Sequence, residues 1–595
     1  MKYFNKTGIV LTAGFVLAAA SCSDFSDYND AVSESTMASS NLSLWENITQ
    51  NQEQLSDFAM LVEKAGFVNE LSTPRSLTIW APVNGSFQMS DYENLTQEQL
   101  LQRFVRAHVA EYNHAATGEV DERVHMLNNK SMVFKGNGTY TFDDIAVSQV
   151  NIPSNNGLLH LIEKPVTYYP NVHDFLVEDT VLTAIHDYFM NYQDTVLNER
   201  SSIPGPRVNG EETYVYKVYD INNTLADWLR ARLNNEDSTY TIVLPTNKAF
   251  QDMYDKIAPA YNFIEKTVVK DPEKFSNANG TDTKTVYTTN AAGEKISPEV
   301  LSDSLTKRAI VRHIVYSNND LYNQWLVGKG EYLDTIRSTW RGRFSNPKEI
   351  MEDYMVGEPI KMSNGYGHIV DSLAFRSWES YLPEITVSPR RNLVNLFPDA
   401  AKSQNQKIPA DSVASIFGPD AEYADYSYAW IEPGGARNLP TVFLSLPNVM
   451  STTYNFYVVF LPTANPLISR DGRPNWLNFQ LEYGNAAGET STYCFSKAVA
   501  DAIQAGGDIP KAPTTVGKTT AFVNDPEKTD TVFIGQFTFP IAYNGLPDNT
   551  YPSLKITMPI SVFNQKELAT YSRDLRIAAI IMRPVELDEY LKNNK

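Results

Sequence analysis

Two cysteines and eight histidines in 595 residues leave this chain short of the side chains that most protein chemistry uses. So few thiols exclude a disulfide framework, and the fold has to rest on buried apolar surface, for which the length is ample. No histidine follows His368. That removes Ser-His-Asp, Cys-His and histidine–metal chemistry from everything after it, unless another region lends a residue. Glycine-rich phosphate cradles are missing as well: neither Gly-x-x-x-x-Gly-Lys-Ser/Thr nor Gly-x-Gly-x-x-Gly occurs. No run of 18 or more apolar residues appears, so no transmembrane helix is expected. Positive charge is scarce, with 50 Lys and Arg against 70 Asp and Glu and a net charge of −20. A chain this acidic is repelled by phosphate backbones and by anionic membrane faces, so neither nucleic acid nor a charged bilayer is an expected partner.

What is present starts at the N-terminus. Lys2 and Lys6 form a basic head, Ile9 to Ala20 a short apolar core, and Ala19-Ala20-Ser21 a small-residue exit before Cys22. This is the layout of a secretory signal. With a cysteine directly after the small residues, it resembles the lipobox of bacterial lipoproteins, although Ala19 stands where leucine is usual. The resemblance implies a signal peptide over 1–21 and an acyl chain on Cys22. Residues 22–40 are polar and acidic without periodicity and read as a lipidated flexible tether. Asp24 and Asp27 resemble the export signal of surface lipoproteins, which implies outer-membrane attachment facing the cell exterior. The other cysteine, Cys494, sits among apolar neighbours and reads as a buried, inert thiol.

With 42% hydrophobic and 12% aromatic residues, the remainder is an ordinary folded chain of two to four domains. It contains a repeat. Thr78-Ile-Trp-Ala-Pro-Val-Asn84-Gly-Ser-Phe87 recurs as Thr241-Ile-Val-Leu-Pro-Thr-Asn247-Lys-Ala-Phe250. Arg103 to Val109 recurs as Arg308 to Ile314, and Asn156 to Glu163 as Asn364 to Asp371. The histidines of the last two blocks, His108 with His160 and His313 with His368, are 52 and 55 residues apart. A strand that ends in proline and a turn closed by phenylalanine explains the first block. Leu55, Phe58, Leu61, Val62 and Ala65 have helical spacing and stop at Gly66.

These blocks resemble the fasciclin domain, with Arg312 and Gly367 as departures in the second copy. The resemblance implies an α+β fold: two fasciclin-like β-sandwich or wedge domains with packed helices, at 41–169 and 170–382. The second copy carries polar insertions at 201–223 and 275–294, expected to be functional or mobile loops. A third, 324–355, holds Trp325 and Trp340 and is expected to pack on its own domain. From 383 to 595 the texture changes to strands, at 441–446, 455–461, 476–483, 531–539, 553–558 and 575–582, and predicts an all-β sandwich.

The four repeated histidines lie in apolar patterns and read as packed structural groups. His114, His125, His173 and His186 show no metal-ligand spacing, so neither a metal nor a cofactor is expected. The candidate recognition residues are aromatic: Tyr426, Tyr428 and Trp430 alternate on one strand face, and Trp476 follows a turn. The expectation is a non-enzymatic, surface-anchored binding lipoprotein. Its first reading is an accessory of a SusC/SusD-like uptake complex that captures glycan or peptide. The alternative is an adhesin or structural protein that binds a neighbouring cell or matrix.

Overall fold

The computed structural model describes residues 41–594, except 201, 208–209, 211, 217–218, 272–273, 275–279, 291, 397–400, 419–425, 499–513, 517–518 and 547–551. The expected signal, Cys22 and the tether lie outside the described residues. Contacts divide the chain into two compact units. The first runs to Phe175 and includes 234–238 and 361–364; the second is the remainder.

In the first unit, seven strands make one sheet: β1 (Leu77–Pro82), β2 (Val109–Glu111), β3 (Glu119–His125), β4 (Ser131–Asn137), β5 (Thr139–Phe142), β6 (Ile145–Ser154) and β7 (Gly157–Ile162). Their order is β2-β1-β7-β6-β5-β4-β3, with β1 and β7 parallel. Every residue of β1 is buried. Leu77, Ile79 and Ala81 enter one apolar cluster with Leu55, Phe58 and Leu61 of the helix Gln52–Lys64. Trp80 enters a second cluster with Val124, Phe134 and Phe142. A strand covered on both faces has to be continuously apolar, which is why the first repeat block reads that way. The helix ends where the sequence places it, with Gly66 at φ 72°.

Three residues of the repeat blocks explain themselves here. Asn84 locks the turn after β1 to that helix, donating to the carbonyls of Gln52 and Glu53 and accepting from the Asp57 N–H at 2.9 Å. Asn156 accepts from the Leu44 N–H at 2.8 Å and donates to the carbonyls of Leu71 and Thr73. Gly157 lets β7 approach β1, since a Cβ there would stand 1.9 Å from the Leu77 carbonyl oxygen.

The second unit repeats the same register. Tyr240–Pro245 runs antiparallel to Val315–Ser317 and parallel to Gly365–Val370. Asn247 joins its turn to the helix Thr183–Met190 by accepting from the Ala184 N–H at 2.9 Å and donating to the Val181 carbonyl. Beyond it, two β-sheets form a sandwich-type region. One has Ser427–Pro433, Leu575–Pro584, Thr453–Phe460 and Asp530–Thr538 as neighbours, and the other is built around Trp476–Gly484 and Ser553–Thr557. Phe456 of the first sheet meets Phe495, which follows a strand of the second, at 4.9 Å between ring centroids. All six strands expected after residue 383 occur, each within two residues of its expected ends.

The 275–294 insertion, expected as a free polar loop, departs from that reading. Residues 275–279 and 291 lie outside the described residues, but Thr283–Tyr287 is a strand paired with Lys266–Lys270. The Val268 N–H donates to the Gly488 carbonyl at 2.6 Å, Thr490 donates to the Val268 carbonyl, and Lys270 pairs with Glu482 at 2.8 Å. Backbone groups that a loop would expose to water are satisfied by the neighbouring hairpin instead. Of the 201–223 insertion, Tyr219–Asn223 pairs with Gln193–Leu197.

Candidate functional site

The repeated histidines come first, because they were the only ordered set of titratable groups in the sequence. His108 is fully buried; its Nδ1 meets the Phe104 carbonyl at 2.7 Å and its Nε2 accepts from the Val166 N–H. His160 is equally buried, with Nε2 on the His114 carbonyl and Nδ1 accepting from the Asn151 N–H. Its ring stacks on Trp80 at 5.4 Å, and Trp80 stacks in turn on Phe142 at 4.2 Å. Burial pushes both histidines down to a pKa of about 4, so they are neutral at pH 7. With both nitrogens committed to backbone, neither is available as a base.

In the second unit, His313 Nδ1 meets the Ser338 hydroxyl at 3.1 Å, and His368 Nδ1 meets the Met351 carbonyl at 2.9 Å. Both partners belong to the 324–355 insertion. That outgrowth therefore supplies one partner to each repeated histidine, while the buried Nε2 of His313 has none among the described residues. Its Trp340 packs on Trp228 at 4.8 Å, and Trp325 meets Tyr332 at 4.9 Å.

The aromatic residues singled out in the sequence do not form an open platform. Tyr428 is 7% exposed, in a cluster with Ile408, Ile416 and Ile468 that covers this face of the sheet. Trp430 is half-buried; its ring carries the Arg576 guanidinium at 4.2 Å and its N–H donates to Asp574 at 2.7 Å. Tyr426 precedes the strand Ser427–Pro433, with φ 43°. Trp476 has no exposure and stacks on Tyr571 at 5.3 Å, so it fills the core rather than standing at a rim. Tyr428 and Trp430 border this cluster and Tyr426 is not part of it; the residues that cover Tyr428, Ile408, Ile416 and Ile468, are remote in sequence. Cys494 is a free thiol, half-buried rather than buried.

The second unit has a concave surface that the sequence did not reveal. A depression of about 540 Å³ is floored by Tyr261, Phe263 and Phe539 and walled by Tyr254, Pro298 and Pro540. It adjoins another of about 600 Å³ through the shared residues Phe263, Pro298 and Glu299. The groove is stitched by Asn262, whose side chain donates to the Pro540 carbonyl at 2.7 Å, and by Ser451, which accepts from the Asn262 N–H and donates to the Pro259 carbonyl. Glu299, on its rim, is held below the usual carboxylate range by hydrogen bonds from its own backbone N–H and from Ser297, so it stays ionised. No histidine or cysteine lines either depression. Aromatic and proline faces with a carboxylate edge can hold a ligand. Among the described residues, no group of three or more His, Cys, Asp or Glu is placed to hold a metal ion. Among the same residues, no helix is long and apolar enough to cross a membrane.

Residues 53–167 match the fasciclin domain family. The match spans the strand–proline box, the helix 52–64 and both buried histidines of the first unit. Fasciclin domains are non-catalytic modules of adhesion and binding, and the chain carries one. Among solved structures, the FAS1 domain pair of the insect cell adhesion molecule fasciclin I is similar at 13% identity and a TM-score of 0.20, over 55% of this chain and 99% of that one. At that score the likeness carries no argument. No curated protein matches the chain.

Proposed function

We propose that this chain is a non-enzymatic adhesive protein that presents two fasciclin-type modules and a β-sandwich at a cell surface, anchored through an acyl chain on Cys22. The observation that carries the reading is the matched domain at 53–167, whose titratable core groups are consumed by packing. The second module rests on the recurrence of one register: the β1–β7 pairing returns, residue for residue, in Tyr240–Pro245 with Gly365–Val370. The same Asn and Gly occupy the same turns, and Gly365 meets the Tyr240 carbonyl as closely as Gly157 meets that of Leu77. The uptake-accessory role that headed the sequence expectations drew on the lipid site alone, and its proposed aromatic platform is covered. Adhesion draws on a domain and therefore takes first place.

The test is adhesion of cells that display the chain, compared with cells expressing Cys22→Ala. The intact chain is expected in the membrane fraction and accessible to external protease, with adhesion to cells or matrix several-fold above the variant, which is released. Equal adhesion, or a Cys22→Ala protein that still pellets with membranes, overturns the anchored-adhesin reading.

A further inference from the structure

The acidic chain concentrates unpaired arginine at one place in its second unit. The hairpin Ile336–Arg337 and Arg343–Phe344 is closed by Ser338-Thr-Trp340-Arg341-Gly342, which puts three arginines and a tryptophan within seven residues. Arg337 and Arg343 are directly opposed across it, and both guanidiniums lie over the Tyr322 ring, at 5.1 and 5.2 Å. At its tip two tryptophans lie between two arginines. Arg230 lies over Trp340 at 4.7 Å, Trp340 meets Trp228 at 4.8 Å, and Arg308 lies over Trp228 at 5.1 Å.

Only Arg337 of this group has an acidic partner, Asp320 at 2.6 Å. Among the described residues, no carboxylate stands within 4.0 Å of Arg230, Arg308, Arg341 or Arg343. Arg230, Arg341 and Arg343 are exposed, and the buried Nε of Arg308 has no hydrogen-bond partner among those residues. In a chain with 70 Asp and Glu against 50 Lys and Arg, these five arginines share one ion pair among the described residues. Four of the five guanidiniums lie over a ring, Arg337 and Arg343 on Tyr322, Arg230 on Trp340 and Arg308 on Trp228, and a side chain so held has less freedom to lose on binding an oxyanion.

We infer that this arginine–tryptophan face is a binding site for an acidic polysaccharide, a polymer carrying carboxylate or sulfate groups on sugar rings. The guanidinium fork pairs with either oxyanion through two parallel hydrogen bonds. Tyr322 and Trp340 add the flat apolar edges on which a sugar ring rests. Charge complementarity is local, and this selects the polymer. A phosphate rod or a flat anionic bilayer brings the rest of the acidic surface close and is repelled. A flexible polysaccharide touches the patch alone. An acidic peptide also fits the charge, but it lacks the ring face repeated at every unit.

The inference rests on the adhesive reading by naming the class of partner it meets. The probes for the full chain are dextran sulfate, polygalacturonate and neutral dextran, beside polyglutamate, anionic phospholipid vesicles and duplex DNA. Retention on the first two is expected, weakening steeply with salt, with none on neutral dextran. The triple variant Arg230→Ala/Arg341→Ala/Arg343→Ala is expected to weaken the Kd about tenfold or more. Replacing the same three by lysine is expected to restore only part of it, since the charge returns without the fork. Unchanged affinity in the alanine variant overturns the site, and so does tighter binding of polyglutamate, vesicles or DNA. Should the triple variant fail to fold, Arg343→Ala alone, an exposed position, gives the same decision at several-fold. Loss of polymer binding with adhesion intact in the cell assay overturns the partner and leaves the adhesive reading standing.

Discussion

The two repeats share blocks and register, yet they solve the same packing problem with different resources. In the first, both histidines are bonded at both ring nitrogens by backbone of the same domain, and Trp80 is sandwiched between His160 and Phe142. The second has Val243 where the first has Trp80. Its histidines take their partners from an insertion, and its hairpin at 266–287 is bonded to the sandwich. One repeat bonds its histidines with its own backbone; the other uses an insertion. A buried polar group gains from a partner, and an insertion can supply one that the repeat itself does not.

The largest expected effect breaks the first repeat only. Trp80→Ala removes a fully buried ring in contact with Phe134, Phe142 and His160, at a cost of about 3–5 kcal/mol. Hydrogen exchange is expected to accelerate at 77–82 while 240–245 keeps its protection. Equal acceleration in both segments would join the two repeats into one cooperative block and end the contrast.

Acid comes next. The folded pKa of His108 and His160 lies near 4, below the ordinary 6.5, so the unfolded chain binds protons first as pH falls. Stability is intact above about pH 6.5, and each histidine removes about 3 kcal/mol by pH 4. The denaturation midpoint of the first unit is expected to drop steadily across that window. A flat profile there would show that the rings are reached by solvent in the native state.

Single histidine changes sharpen the comparison further. His160→Ala leaves the Asn151 N–H and the His114 carbonyl unpaired and is expected to cost about 1–3 kcal/mol. His368 is half-buried and bonded to the Met351 carbonyl, and His368→Ala belongs at the low end of that range. Thermal midpoints of the two variants, measured side by side, decide whether the first repeat depends more on its histidine. Smallest is Asn262→Ala, which removes the bond to the Pro540 carbonyl, at about 1 kcal/mol. Its effect is expected in exchange at 258–264 and 538–543 together, and a change confined to the first stretch would mean that the two segments open independently.

Much of the fold was legible because it is local. The helix over Leu55 to Ala65, the proline-ended strands and the asparagine–glycine turns each follow from a few neighbouring residues. The strands after residue 383 were legible for the same reason, being runs of β-branched and aromatic residues bounded by turns. What could not be read was placement. The Tyr426–Trp430 alternation predicts a shared face, but it carries no information on whether Ile408, Ile416 and Ile468 come to cover that face. The polar composition of 275–294 predicts exposure, and nothing within it announces the strand Lys266–Lys270 as the partner of Thr283–Tyr287. The groove around Tyr261 and Phe539 joins residues 278 apart, and the arginine–tryptophan face gathers positions 228, 230, 308 and 340. Such sites exist only after folding has chosen their neighbours.

The bonds between the 266–287 hairpin and the sandwich have a consequence for the order in which the molecule forms. Lys270 reaches Thr492 across 222 residues, and Asn262 reaches Pro540 across 278. In the first unit, the bond from Leu44 to Asn156 spans 112. Contacts so distant in sequence close late, because the loop between them must first be gathered. A chain that emerges N-terminus first can therefore finish its leading domain while the trailing half is still arriving. The second repeat waits, with its hairpin edge unpaired, until the chain through Thr492 has appeared. That interval is when this protein is most exposed to wrong partners, and when a chaperone has the most to cover.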